Sequence, residues 1–175
     1  MDIRPALESA ASAAGIPLQL ALACALAESG LNPRAERWGG MTGQAQQAIA
    51  AGDNALLQAI IDETWPDISF GYSQKIVEFH YLGDHSQSVD NCLAVRAGVF
   101  ADPDRNLVEM TNQLAGCMST AQAGDLSPAG GDPLLAALIV YNAGHLPAAD
   151  SSWWSNWSGN VTNYKAALDR AAGMV

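Results

Sequence analysis

At 175 residues the chain is long enough to bury a sizeable core and falls within the usual length of one domain. Its formal net charge of −10, with a pI near 4.4, has the wrong sign for gripping nucleic acid or an anionic membrane, since both need lysine and arginine against phosphate. No apolar run approaches the roughly 18 residues of a membrane-spanning helix, and Cys24, Cys92 and Cys117 lack metal-ligand spacing, so neither membrane insertion nor a metal or other cofactor is expected.

The apolar class makes up 49% of the chain, much of it alanine, which favours helix over strand. Asp2 to Ala14 reads as a first helix, broken by Gly15, and Pro17 suits the first turn of the next. From Leu18 to Ala27 Gln19 is the only polar side chain. A helix apolar on every side has no solvent face and belongs at the centre of a core. Glu28 stands at its last turn, before Ser29-Gly30-Leu31-Asn32-Pro33. There desolvation and the negative end of the helix dipole both disfavour the carboxylate form and push the pKa upward, as a general acid requires. An ordinary exposed helix-end glutamate, with Gly30 as C-cap, fits the same residues.

A loop with Trp38 and Gly39-Gly40 follows, then helices over Thr42–Ala51 and Asp53–Thr64, with Asp53 as N-cap and Leu56, Ile60 and Ile61 as the buried face. Trp65-Pro66-Asp67 interrupts, and Ile68 to Gln74 is short enough for a small hairpin or a loop. Val77, Phe79 and Tyr81 alternate with polar residues, which suits a short strand or a helix, and Gly83-Asp84-His85 reads as a turn. Ser88 caps a helix through Val99 with Val89, Cys92, Leu93 and Val95 as its apolar set. Asp102-Pro103 opens a helix to about Thr120, with Leu107, Met110, Leu114 and Cys117 on one face. Asp132-Pro133 repeats that start before LLAALIVYN, a second wholly apolar helix ending in Ala143-Gly144. A tryptophan-rich loop, Ser151 to Trp157, precedes a last amphipathic helix from about Val161 to Ala172. Cys92 and Cys117 either pair or remain core thiols. His80, His85 and His145 show no triad or metal spacing. With no repeat and no linker, residues 1–175 read as one mainly α domain.

Four segments in order resemble the lytic transglycosylases and goose-type lysozymes of glycoside hydrolase family 23. Gly15-Ile16-Pro17 leading to Glu28-Ser29-Gly30-Leu31-Asn32-Pro33 is similar to the family's helix ending in its catalytic glutamate. Ser69-Phe70-Gly71-Tyr72-Ser73-Gln74 looks like its S-x-G-L-M-Q loop, and Asp102-Pro103 with Asn106-Leu107 like its D-P-x-x-N helix start. Tyr141-Asn142-Ala143-Gly144 matches its Y-N-A-G, and Tyr164 falls where the family places a tyrosine in its final helix. The resemblance covers roughly residues 14 to 168 and departs in two places. Tyr72 and Ser73 replace Leu-Met, making that loop's floor more polar, and the gap from Pro33 to Ser69 holds two extra helices.

The resemblance implies a lysozyme-like helical domain with at most a small β-hairpin beside a cleft, and a bacteriolytic enzyme cutting the β-1,4 bond from N-acetylmuramic acid to N-acetylglucosamine in peptidoglycan. It makes Glu28 the general acid, places Ser29, Ser69, Gly71, Gln74, Tyr141, Asn142 and Tyr164 against substrate, and needs no cofactor. In transglycosylases of this kind the sugar's own 6-hydroxyl attacks to give a 1,6-anhydro product, while goose-type lysozymes carry aspartates that favour water. Asp67 occupies the comparable place, and an inverting route would set it about 6.5–9.5 Å from Glu28. Trp38, Trp65, Trp153, Trp154 and Trp157 are possible sugar-stacking platforms, Trp38 foremost because it follows the catalytic loop. The start, MDIRPALESA, lacks a secretory signal pattern. A monomer made in the cytoplasm and acting on the bacterial wall is therefore expected, as for a bacteriophage endolysin or a wall-penetrating piece of a virion protein. A non-catalytic peptidoglycan-binding module on the same fold is the alternative.

Overall fold

The computed structural model describes residues 3–76 and 88–175. The alternation at Val77, Phe79 and Tyr81, the turn at Gly83-Asp84-His85, and His80 lie outside the described residues. The fold is mainly α with a small antiparallel sheet, as expected. Among the described residues the helices are α1 Arg4–Ala14, α2 Leu18–Ser29, α3 Thr42–Ala51, α4 Asn54–Thr64, α5 Val89–Ala101, α6 Pro103–Gln122, α7 Pro133–Ala143, α8 Trp153–Asn156 and α9 Ser158–Ala172. The strands are β1 Glu36–Trp38, β2 Ile68–Phe70 and β3 Lys75–Ile76. No described helix is long and apolar enough to cross a membrane.

The chain forms two compact units. One comprises Met1–Leu31 with Leu107–Val175, the other Asn32–Asn106, and the boundary after Asn106 falls inside α6.

In the first unit the two all-apolar helices behave as their composition requires. Every residue of α2 from Leu20 to Leu26 is buried, as is every residue of α7 from Leu135 to Val140. Neither helix has a solvent face over these stretches, so each is enclosed by neighbours: α2 packs on α1, α7 and most extensively α9. Gln19, the lone polar side chain at the start of α2, donates its amide to the Leu168 carbonyl of α9 at 3.2 Å. Leu107, Met110, Leu114 and Cys117 are buried along one face of α6, as their spacing predicts.

The second unit is built around its sheet, of order β1-β2-β3. Pairing sets Arg37 opposite Ser69, and Ser69 in turn opposite Ile76. The expected hairpin is thus β2–β3, and β1 adds a strand where only a loop is legible. All three residues of β2 are buried, and Phe70 meets Trp38 edge-to-face with centroids 5.3 Å apart. α3 and α4 close this core with Ala45, Ala48, Leu57, Ile60 and Ile61. The buried face of α4 runs Leu57, Ile60, Ile61, Thr64, while Leu56 is 45% exposed. The i, i+3, i+4, i+7 set starts one residue later than expected because Leu56 lies a further 100° round the helix. Cys24, Cys92 and Cys117 are buried thiols and no disulfide joins them, which settles the Cys92–Cys117 alternative for separate core residues.

Candidate functional site

Glu28 occupies the last turn of α2. Gly30 ends the helix in the left-handed region (φ 61°), where the absence of a Cβ carries no steric cost, and Leu31 follows it there (φ 66°). Their N–H groups return to the Leu26 and Ala25 carbonyls, each at 3.1 Å. The chain therefore leaves the helix sharply just beyond the carboxyl. Glu28 itself is partly buried, and the Tyr164 hydroxyl donates to its Oε1 at 2.6 Å across 136 residues of sequence.

Tyr164 is 4% exposed, in the middle of α9. Burial pushes its phenol well above the ordinary value, the adjacent Glu28 charge adds to this, and a hydrogen bond from Asn142 opposes it. Tyr141, next to Asn142 in the last turn of α7, is raised the same way: burial first, then Cys24, Glu28, Cys117 and Tyr164 around it. Both phenols therefore stay protonated at neutral pH. The dense packing of α2 against α9, with α7 beside both, holds the carboxyl, the two phenols and the amide together. Ser29 is the exception among the expected neighbours: its hydroxyl donates to the Ala25 carbonyl at 2.8 Å, within the helix end.

In the second unit the Ser69–Gln74 segment is a closed loop. The Ser69 hydroxyl donates to Gln74 Oε1 at 3.0 Å, and the Gln74 amide donates to the carbonyls of Gly71 (2.9 Å) and Ala35 (3.2 Å). Gln74 is itself left-handed (φ 45°), an uncommon state for a residue other than glycine, and its own side-chain bonds hold the turn. Asn106 closes the loop from the other side. Its Oδ1 accepts from the Ser73 N–H at 3.2 Å and its amide donates to the Ser73 hydroxyl at 3.0 Å. Ser69 and Gly71 are buried, so they shape this loop and do not face a ligand as expected. Tyr72 and Ser73 are 3% and 0% exposed.

Trp38 requires a further correction. It is fully buried in the core of the second unit, its indole N–H directed at Glu36 Oε2 (3.4 Å), and it offers no face for a sugar. Asp67, the expected water-activating carboxylate, is half exposed and forms an ion pair with Arg37.

No family model, curated protein or solved structure matches the chain.

The expected site residues thus separate by unit. Glu28, Tyr141, Asn142 and Tyr164 come together in the first, while Trp38, Asp67, Ser69, Gly71 and Gln74 belong to the second. Two features escaped the sequence reading. Cys24 and Cys117 line the surroundings of Tyr141, and nothing in their spacing indicates it. Glu36 forms a nearly buried ion pair with Arg96 at 2.6 Å and accepts from Gln46 at 2.7 Å. Burial alone would raise the Glu36 pKa, but the bonds from Arg96, Gln46 and Trp38 outweigh it and hold the carboxyl below its ordinary value. Among the described residues no three His, Cys, Asp or Glu side chains gather to hold a metal ion.

Proposed function

We propose that this chain is a peptidoglycan-cleaving glycosidase with Glu28 as its general acid. The reading rests on one observation: a carboxyl at the end of a helix buried on all sides accepts a 2.6 Å hydrogen bond from Tyr164, beside Tyr141 and Asn142. The resemblance of these residues to the glutamate helix, Y-N-A-G and final-helix tyrosine of the lytic transglycosylases supports it.

In this mechanism Tyr164 donates to Oε1 and the reacting proton is carried on Oε2. Glu28 passes it to the oxygen of the leaving N-acetylglucosamine as positive charge develops at the anomeric carbon of N-acetylmuramic acid. The neighbouring acetamido oxygen attacks that carbon. Glu28, now a carboxylate steadied by the Tyr164 hydroxyl, then takes the proton of the sugar's 6-hydroxyl as that oxygen displaces the acetamido oxygen from the anomeric carbon, which restores the acetamide and closes the 1,6-anhydro ring. Asp67, its charge shared with Arg37, is given no part, which favours the transglycosylase product over the hydrolysed one.

Glu28→Gln is expected to fold normally and to lose wall-lysing activity. Near wild-type clearance of a cell-wall suspension by that variant would overturn the assignment. Mass spectrometry of the released muropeptides is expected to find the anhydro form, one water lighter than the hydrolysed product. Asp67→Asn is expected to keep at least half the rate, and a loss beyond about 100-fold, the scale of a missing acid–base group, would restore Asp67 to the mechanism.

A further inference from the structure

Tyr164 serves Glu28 with a single proton. Its hydroxyl donates to Glu28 Oε1 at 2.6 Å, within the span of about 2.5–2.7 Å typical of an O–H group bonded to a charged oxygen. A phenol has no second proton to give, so any further partner of that oxygen must be a donor. That donor is Asn142, whose side-chain amide bonds to the same hydroxyl. The chain of bonds therefore runs one way, from Asn142 to Tyr164 to Glu28.

The end of α7 explains how an exposed amide reaches a buried phenol. Every residue from Leu135 to Val140 is buried, Tyr141 is half-buried and Asn142 is exposed. The helix thus leaves the core within its last turn, before Gly144 ends it in the left-handed region (φ 77°). α9 packs along α7, and its Tyr164 is buried. Asn142 is the most exposed of the three linked side chains, with its amide turned inward onto Tyr164.

Direction matters because a carboxylic acid can pair with a phenol in two ways. In one, the phenol donates to Oε1 and the acid's own proton stands on Oε2, left for the sugar. In the other, the acid gives its proton to the phenol oxygen, and the phenol proton turns away. That second arrangement would set the phenol proton against the Asn142 N–H, two donors facing each other. We infer that Asn142 is a positioning residue: by occupying the acceptor side of the Tyr164 hydroxyl, it keeps the Glu28 proton on the oxygen that serves the leaving group. Family resemblance sets Asn142 against substrate; this role instead acts through Tyr164, and it rests on the glycosidase reading.

A double-mutant cycle with Tyr164→Phe tests it, on the full chain, by muropeptide release from wall suspensions at pH 7. Asn142→Ala is expected to lower kcat about 3- to 10-fold, the scale of one neutral hydrogen bond, with apparent KM within about twofold. Added to Tyr164→Phe it should cost less than about 1.5-fold, because the hydroxyl it acts through is gone. Asn142→Asp, whose carboxylate accepts and cannot donate, should lose at least as much as Asn142→Ala. In protein carrying 13C-labelled tyrosine, the Tyr164 Cζ resonance is assigned by its loss in Tyr164→Phe. It should shift in Asn142→Ala while the melting temperature holds. An equal loss in both backgrounds, a raised KM with kcat kept, a near wild-type rate for Asn142→Asp, or an unmoved resonance would each overturn the inference and leave the glycosidase reading standing. A wild-type chain that releases no muropeptide would overturn that reading, and this role with it.

Discussion

The phenol of Tyr164 reaches Glu28 at 2.6 Å, and its removal is the sharpest test of how the acid is held. A hydrogen bond to a charged group contributes about 1.5–3 kcal/mol, so Tyr164→Phe should slow wall lysis about 10- to 100-fold. Pelleting with insoluble wall should be unchanged, because the ring remains. The raised pKa values of Tyr141 and Tyr164 carry a stability signature of definite sign. Above the unfolded value of about 10 the folded chain retains phenol protons that the unfolded chain has lost. Their contribution is complete below pH 10 and falls as pH rises beyond it, by at most about 1.4 kcal/mol per pH unit for each phenol. Urea melts at pH 9 and pH 11 would measure this, and a flat profile would contradict it. Resemblance to a family pattern marked Glu28 and Tyr164 separately but not their pairing, because 136 residues separate the two and no local periodicity links them. Trp38 misled for a related reason. A tryptophan just before a glycine pair can face solvent or core, and what decided it was Phe70, thirty-two residues on.

Elements whose ends are set by neighbouring residues were the legible ones. Asp53, Ser88, Asp102 and Asp132 each accept from backbone N–H groups two or three residues ahead, so cap and helix start are read from one short string. β1 was not legible, because a three-residue strand exists through its pairing with β2, about thirty residues later. α9 begins at Ser158, three residues before the expected Val161, and no side chain caps it, so its start carried no sequence mark. The loop after β2 allows a direct test of a close approach. A Cβ on Gly71 would lie 2.5 Å from Val99 Cγ1 and 2.7 Å from Asn106 Oδ1, at a φ of +77°. Gly71→Ala should therefore cost more than about 2 kcal/mol, with Asn106→Ala, which removes both bonds to Ser73, costing about 1–3 kcal/mol. Chemical denaturation of the two variants measures both. On β1, Arg96→Ala leaves the Glu36 charge nearly buried and should cost about 3 kcal/mol at pH 7. With its folded pKa lowered, Glu36 stabilises the fold above its ordinary value of 4.5 and loses that contribution as pH falls through the folded value. The penalty of Arg96→Ala should accordingly shrink in acid.

For the molecule as a whole, a net charge of −10 gives no long-range attraction toward an anionic wall. The lysis rate should stay level or rise as salt increases from about 0.02 to 0.2 M, since screening relieves repulsion, and a steep gain at low salt would contradict this. The distribution of the cysteines offers another experiment. Cys92 belongs to the second unit, and burial lifts its thiol to about 11; Cys24 and Cys117 are buried in the first. Thiolate is the reactive form, so alkylating reagents should be excluded from the native chain by at least 100-fold relative to urea. Residual labelling then reports only those moments when a core transiently opens. Each half of the chain carries its own tracer for such openings, and peptide-resolved labelling kinetics would tell whether the two halves breathe in concert or on separate clocks.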